Sequence, residues 1–273
     1  MSAIITLTTD FGLSDAYAAE MKGIILGINP DARFVDICHT IKPQNISQAA
    51  FVLHTAYRFF PERTIHLVVV DPGVGSDRHA VLLHTSFADF IAPDNGVLSY
   101  IVQEVSEKPV TGEAVNLKKG TTAISLTNST YWREQVSSTF HGRDIFAPIA
   151  AHLSMGKSPE DFGIKIDTMV TIPLLYPHKT QNGMTGHIVH IDSFGNLITN
   201  FKEQDLPGKN IIISVGGKRI HGLSRTYQDS PGLLSLIGSH GYLEISLKNG
   251  SASDFLGVGT GYQIKISQQS GGN

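Results

Sequence analysis

Four apolar residues in a row behind a histidine, His66-Leu67-Val68-Val69-Val70, do most to limit what this chain can become. An apolar run without alternation is the pattern of a strand buried on both faces, and such strands belong to sheets covered by helices on either side. The segments before it agree. Ile4, Ile5, Leu7 and Thr9 are β-prone and lead into the turn Thr8-Thr9-Asp10-Phe11-Gly12. From Ala16 to Gly27, Tyr17, Met21, Ile24 and Ile25 recur at helical spacing that Ile28 continues, with Ser14 or Asp15 as the expected N-cap. Asn29-Pro30-Asp31 stops that helix and Arg33 to Ile37 reads as the next strand. A second helix is expected from a Ser47 cap to Phe60, ended by Pro61. Strand, helix, strand, helix, strand predicts an α/β domain on a mostly parallel sheet with right-handed crossovers.

Further strands are expected at Ala80 to Thr85 and Phe90 to Ala92, and helices at Val97 to Val105 and Ile145 to Met155. From Gly183 onward helical periodicity fades. Short β-prone runs follow at His187 to Ile191, Ile211 to Val215, Tyr242 to Leu247 and Tyr262 to Ile266, separated by Gly, Asn and Ser, which predicts an all-β domain. Thr171 to Gly186, with Pro173, Pro177 and Gly183, is the expected linker, dividing an α/β domain (1–178) from a smaller β domain (179–273). Gln268 to Asn273 is a polar tail.

Composition removes several function classes. Twenty-one basic against 24 acidic residues leave a net charge of −3, with no electrostatic footprint for nucleic acid or an anionic membrane surface. A 41% apolar and 16% charged chain is not a disordered one. No apolar stretch approaches a membrane span, and MSAIITLTTDFG has neither a basic region nor a cleavage site, so a cytoplasmic protein is expected. A single cysteine, Cys38, excludes an internal disulfide framework and a zinc site built on several thiolates.

Ligands of open α/β sheets bind beyond the carboxyl ends of the strands. Asp10 and Asp71 both stand there, each followed by a glycine-bearing turn that lets backbone approach a ligand. The plainer reading makes Asp10 a helix cap and Asp71 a turn former. Gly73-Val74-Gly75-Ser76-Asp77-Arg78 lacks the Gly-Lys-Ser/Thr ending of a phosphate loop, and no Gly-x-Gly-x-x-Gly follows the first strand. No His-x-x-x-His pair marks a metal site, and His39, His54 and His66 lie beside core segments. In Thr139-Phe140-His141-Gly142-Arg143-Asp144 the histidine precedes a helix, where the dipole favours neutral imidazole or a bound anion; the plainer reading is a cap with an Arg143-Asp144 surface pair. Asp192-Ser193-Phe194-Gly195-Asn196 offers a carboxylate, an aromatic face and an amide, or is an ordinary hairpin turn.

Taken together, seven motifs in order resemble one family over nearly the whole chain: the S-adenosylmethionine hydroxide adenosyltransferases, related to the fluorinases and chlorinases. They are Thr9 to Gly12, Val69 to Gly75, Ala92 to Gly96, Thr139 to Asp144, Ile191 to Asn196, Ser239 to Tyr242 and Asn249 to Ala252. The resemblance implies an α/β domain followed by a β-barrel-like one, in a homotrimer whose sites combine the first domain of one subunit with the second domain of its neighbour. It implies hydrolysis of S-adenosylmethionine at the 5′ carbon to adenosine and L-methionine, with no metal and no cofactor. The family's Asp-Arg-His set falls on Asp71, Arg78 and His141. Asp10 matches the carboxylate on the ribose diol, Asp15 and Asp192 match groups near the methionine ammonium, and Ser239 matches a contact to the methionine carboxylate. Phe194 and Tyr227 match aromatics flanking adenine, Asn196 an amide reading its edge, and Asn249, Ser251 and Ala252 lie in a stretch giving backbone contacts to adenine. Gln44 and His240 depart from the halogenase pattern, where an aromatic and an arginine stand.

The chemistry suits a metal-free site, because the leaving group is a neutral thioether and needs no general acid. What must be supplied is an aligned, partly deprotonated water. An arginine beside Asp71 weakens that carboxylate as a base. The expectation is therefore that Arg78 and His141 orient the water while Asp71 fixes them, with Asp71 as the direct base the alternative. Rival readings are a metal-dependent hydrolase using Asp10, Asp71, Asp94 and His141, a binding protein without turnover, and a halogenase.

Overall fold

The computed structural model describes residues 4–268, so Met1 to Ala3 and the polar tail beyond Gln268 lie outside the described residues. The chain divides into two compact units between Leu174 and Leu175. In the first, β1 (Ile4–Thr9), α1 (Tyr17–Ile28), β2 (Arg33–Cys38), α2 (Ile46–Ala56) and β3 (Thr64–Val69) follow one another as the periodicities require. Then come β4 (Ala80–His84), β5 (Ala88–Pro93), α3 (Ser99–Val105), β6 (Val115–Asn116), β7 (Thr122–Ser125), α4 (Ala147–Ser154), β8 (Ile164–Ile166) and β9 (Thr168–Met169).

The main sheet has the order β2-β1-β3-β5-β4-β7-β8. Its first four strands are parallel, and β4, β7 and β8 add antiparallel pairings. The antiparallel half begins where β4 and β5 are joined by three residues, too few for the crossover a parallel pair needs. Every residue of β3 is buried. Ile65, Leu67 and Val69 pack into one core with Met21, Ile25 and Ile149, while Val68 and Val70 pack into the other with Leu53, Tyr57 and Val102. The unbroken apolar run is thus explained by two cores, one on each face of the sheet.

Three helix starts depart from the sequence reading. α1 has Ala16 at its N-cap, in helical backbone geometry and with no side-chain bond, so neither Ser14 nor Asp15 caps it. The chain enters that helix already coiled, and a capping side chain needs the extended backbone of a true N-cap to reach the free N–H groups. In α2 the cap is Asn45, whose side chain accepts from the Gln48 amide, and Ser47 lies inside the first turn. That helix stops at Ala56 and tightens into a 3₁₀ turn, Tyr57–Phe59. α4 is preceded by a π turn, Gly142–Phe146, that winds the His141 motif directly onto the helix.

The second unit consists of β10 (His178–Thr180), β11 (Gly183–Ile191), β12 (Leu197–Lys202), β13 (Ile211–Val215), β14 (Lys218–His221), β15 (Leu233–Ile237), β16 (Tyr242–Leu247), the short α5 (Ala252–Leu256) and β17 (Gln263–Gln268). All its pairings are antiparallel, in the order β14-β13-β17-β11-β12-β16-β15 with β10 beside β11. The Ser224 amide donates to the Ser235 carbonyl at 2.7 Å and Ser235 Oγ to the Gly222 carbonyl at 2.6 Å, tying β15 back to the chain leaving β14. The sheet is therefore a nearly closed barrel around Ile188, Phe201, Ile213, Leu243, Ile245 and Ile264.

Candidate active site

Thr9 lies opposite Val69 in the parallel pairing of β1 and β3, so Asp10 and Asp71 emerge past the same carboxyl edge of the sheet. The turn after β3 carries the chain round to Arg78, whose Nε donates to Asp71 Oδ1 at 3.0 Å while Nη2 donates to Oδ2. That same Nη2 lies 3.0 Å from His141 Nδ1. The side chains of Asp71 and Arg78 are only 5% and 10% exposed, and the guanidinium lies over the Phe146 ring. The structure thus brings together all three members of the Asp71, Arg78 and His141 set, with arginine in the middle.

A guanidinium has donors and no acceptor. His141 Nδ1 must therefore accept, which makes the imidazole neutral and leaves its proton on Nε2. Burial, with the Arg78 charge beside it, holds the His141 pKa below the ordinary histidine value and favours the same neutral form. Asp71 supplies the carboxylate of the set, and both its oxygens accept from Arg78. Two close approaches make the assembly possible. Gly75 has φ +79°, and a Cβ there would lie 2.5 Å from the Ser138 carbonyl oxygen. A Cβ on Gly142 would lie 3.2 Å from Val69 Cγ1, close to the end of β3. Asn95, which sequence reasoning missed as a support, donates from Nδ2 to the Val70 carbonyl at 2.9 Å, immediately before Asp71. Its signal was the Asp94-Asn95-Gly96 turn after β5, the neighbour of β3.

Asp10 is no helix cap: its Oδ2 accepts from the Gln44 backbone amide at 2.7 Å, and Gln44 has φ +64°. Asp15 is exposed at the mouth of α1. Phe140 meets both Phe11 and Tyr17 edge to face, and Phe11 and Tyr17 are tilted at 51° to one another, with centroids 5.2 to 5.5 Å apart. They line, with Thr139 and Arg143 among others, a cavity of about 350 Å³. Of the Arg143-Asp144 pair only the arginine reaches the surface. Asp144 has 0% side-chain exposure and is held by two arginines. Asp94, offered as a metal ligand, is buried and accepts from the Val170 amide at 2.9 Å. Among the described residues no three His, Cys, Asp or Glu side chains form a group able to hold a metal ion.

The second unit gathers its own candidates. Asp192 Oδ1 accepts from the amides of Phe194 and Asn196, and Oδ2 accepts from Asn196 Nδ2, all at 2.9 Å. This self-bonded turn leaves Phe194 76% exposed. Gly195 (φ +81°) lets the turn lie against the α5 cap, because a Cβ would sit 2.1 Å from Ser251 Oγ. The Ser253 amide donates to the Gly195 carbonyl, and Ser251 Oγ accepts from the Asp254 amide as the helix cap. Asn249 (φ +58°) turns the chain into that cap, and Ala252 is buried behind it.

Tyr227 donates to Glu244 Oε1 at 2.8 Å, as does Ser246, and His240 Nε2 lies 3.4 Å from Oε2. Glu244 is the other residue that sequence reasoning missed. Burial alone would raise its carboxyl, but donors from His240, Ser246 and Tyr227 outweigh burial and hold it below the usual range. Burial and the bond to Glu244 push Tyr227 up to about 12. His240 Nδ1 accepts from the Tyr242 amide at 3.2 Å, so its ring is turned inward to Glu244 while the neighbouring Ser239 is exposed.

Comparison with known proteins places this geometry. The model described as the SAM hydroxide adenosyltransferase N-terminal domain matches residues 5–163, and that of the C-terminal domain matches residues 186–265. An (R)-S-adenosyl-L-methionine hydrolase of Methanocaldococcus jannaschii is 34% identical, over 96% of this chain and 95% of the relative. A fluorinase of Nocardia brasiliensis matches at 26% identity, over 96% of this chain and 97% of the relative. The crystal structure of an uncharacterized conserved protein from Thermotoga maritima superimposes with a TM-score of 0.85 at 34% identity, covering 97% of this chain and all of that one. With both units matched, the chain belongs to the SAM hydroxide adenosyltransferase family.

Proposed function

We propose that this protein hydrolyses S-adenosyl-L-methionine at the 5′ carbon, giving adenosine and L-methionine. The observation that carries the reading is Arg78 bonded to both Asp71 and His141 at a strand end. A water oxygen attacks C5′, the C5′–S bond breaks, and its electron pair stays on sulfur as the neutral thioether of methionine. Attack by an oxygen anion on a sulfonium neutralises charge, so a site sheltered from water favours it. Arg78 N–H and His141 Nε2–H are donors that orient and polarise the oxygen, and Asp71, which fixes Arg78, is the acceptor within the set for the released proton.

The same reading assigns Asp10 to the ribose diol, a task for a two-oxygen acceptor, and Asp15 and Asp192 to the methionine ammonium. Ser239 takes the methionine carboxylate. Phe194, Tyr227 and Asn196 take adenine, with backbone at Asn249, Ser251 and Ala252. It includes a homotrimer in which neighbouring subunits complete each other's sites, a cytoplasmic setting where S-adenosylmethionine is made, and no cofactor. No helix among the described residues is long and apolar enough to cross a membrane.

Relatives carry the name (R)-S-adenosyl-L-methionine hydrolase, which makes the R sulfonium epimer the first substrate to test. Chelator-treated protein is incubated with each epimer, with and without halide. Adenosine and methionine are expected in equal amounts, independent of halide, and lost in Asp71→Asn and His141→Ala. Tight binding without product makes the protein a binder, and a 5′-halogenated nucleoside makes it a halogenase.

A further inference from the structure

Arg78 and His141 are 63 residues apart in the chain, yet their nitrogens lie 3.0 Å from one another. Something must set that spacing, and Asp144 stands where it can. Its side chain is fully buried and takes four donors. Arg143 gives Nε at 2.7 Å and Nη2 at 3.0 Å, Arg133 gives Nη1 at 2.8 Å, and the Ser137 amide donates at 2.8 Å. The backbone repeats the link, because the Arg133 amide donates to the Asp144 carbonyl at 2.9 Å. The segment from Arg133 to Asp144 is therefore drawn into a closed loop with its ends fastened by one carboxylate.

This loop holds both flanks of His141. On one side Ser138 is pressed on the Gly75 turn that leads to Arg78, and on the other Gly142 is pressed on Val69 at the end of β3. The π turn then joins His141 to α4 without a spacer. A buried carboxylate between two arginines is a costly arrangement to assemble, and losing one partner leaves a buried charge uncompensated. Arg143 is balanced a second time by Glu20 on α1, 3.0 Å from Nη1, so the cluster is anchored to that helix as well.

We propose that Asp144 is a positioning residue for the hydrolysis, acting by fastening the 133–144 loop so that His141 Nδ1 is held against Arg78. Asp144 touches neither the reacting atoms nor the Arg78 guanidinium; it acts through His141. Burial alone would raise its carboxyl, but bonds from Arg143, the Ser137 amide and Arg133 hold it at about 2, so the fastening is ionised at neutral pH.

The kinetic part of the test rests on the function proposed above, and the spectroscopic part does not. Asp144→Asn, Arg133→Met and Arg133→Lys are compared with the wild type by hydrolysis of S-adenosylmethionine and by ¹⁵N spectra of histidine-labelled protein. Arg133 has a side chain 37% exposed and supplies one of the four bonds, so Arg133→Met keeps the test open if Asp144→Asn does not fold. Misplacement on the order of 1 Å is expected to lower kcat by roughly 10- to 100-fold in Arg133→Met and Asp144→Asn. KM is expected to stay within about twofold of wild type if ligand contacts are spared. Arg133→Lys recovers most of the loss, and the His141 signal leaves the pure Nε2–H form. Folded Arg133→Met and Asp144→Asn proteins with wild-type kcat, or with the loss confined to KM, overturn the proposal. Wild-type protein that releases no adenosine defeats the function proposed above, and the spectrum alone then decides: an unchanged His141 signal in Asp144→Asn or Arg133→Met overturns the fastening role.

Discussion

Arg78 Nη2 faces His141 Nδ1 at 3.0 Å, and because the guanidinium can only donate, that relationship fixes the tautomer of the imidazole. Neither nitrogen of His141 is then free to take a proton from water: one accepts from Arg78 and the other already carries hydrogen. In the mechanism proposed above, the set then offers the attacking oxygen two donors and one acceptor, Asp71.

Asp71→Asn turns that acceptor into an amide and places an NH₂ group or a poorer oxygen in the Arg78 fork. A kcat lower by about 10² to 10⁴-fold is expected, the range for losing a positioned proton acceptor. Adenosine affinity, measured by calorimetry, is expected to stay near the wild-type value, since Asp71 is committed to Arg78. A variant that keeps wild-type turnover excludes Asp71 from the chemistry.

The pH dependence of kcat follows from His141. Its pKa is lowered from 6.5 by burial and by Arg78, so the neutral ring persists as pH falls through 6.5. Protonation at lower pH puts an Nδ1–H group against the Arg78 donors and breaks the set. The acid limb of kcat is therefore expected below 6.5; a limb centred above 6.5 and removed in His141→Gln contradicts the assignment.

His66 sets an acid limit on stability rather than on rate. It is fully buried, its Nδ1 is 2.8 Å from Thr6 Oγ1, and burial pushes its pKa down to about 4. The unfolded chain binds a proton near 6.5 and the folded one only near 4, so stability is intact above 6.5, is lost progressively as pH falls from 6.5 towards 4, and levels off below the folded value. The loss is about 2 kcal/mol by pH 5. Urea unfolding at pH 7 and pH 5 measures it, and His66→Gln is expected to flatten the difference.

Gly195→Ala tests the second unit. Positive φ and a Cβ 2.1 Å from Ser251 Oγ force the 192–196 turn away from the α5 cap. The strain is on the order of 1–3 kcal/mol. A raised KM for S-adenosylmethionine with a smaller change in kcat is expected from steady-state kinetics. Tyr227→Phe, which deprives buried Glu244 of one donor, is expected to lower unfolding free energy by about 1–3 kcal/mol in denaturant titrations.

Much of this architecture was legible in the chain because it depends on neighbours in sequence. The buried run of β3, the strand-end positions of Asp10 and Asp71, and the short β-prone runs after Gly183 all follow from local patterning. The helix caps were misread where local chemistry was ambiguous: Asn45 and Ser47 both offer a capping oxygen, and only the backbone angle selects Asn45. Asp144 read as part of a surface pair and Glu244 drew no reading at all, since burial is a property of what packs over a residue and not of the residue itself.

The sequence by itself determined an α/β unit followed by a β unit, and the family resemblance that singles out Asp71, Arg78 and His141. Only the tertiary structure decided which nitrogen of His141 carries the proton, that Asn95 braces the carbonyl before Asp71, and that Glu244 holds Tyr227 and His240. The physical reason is distance along the chain. Periodicity and turn chemistry act over a few residues, whereas a hydrogen bond between residues 63 apart exists only once sheet register and close glycine packing have set their spacing.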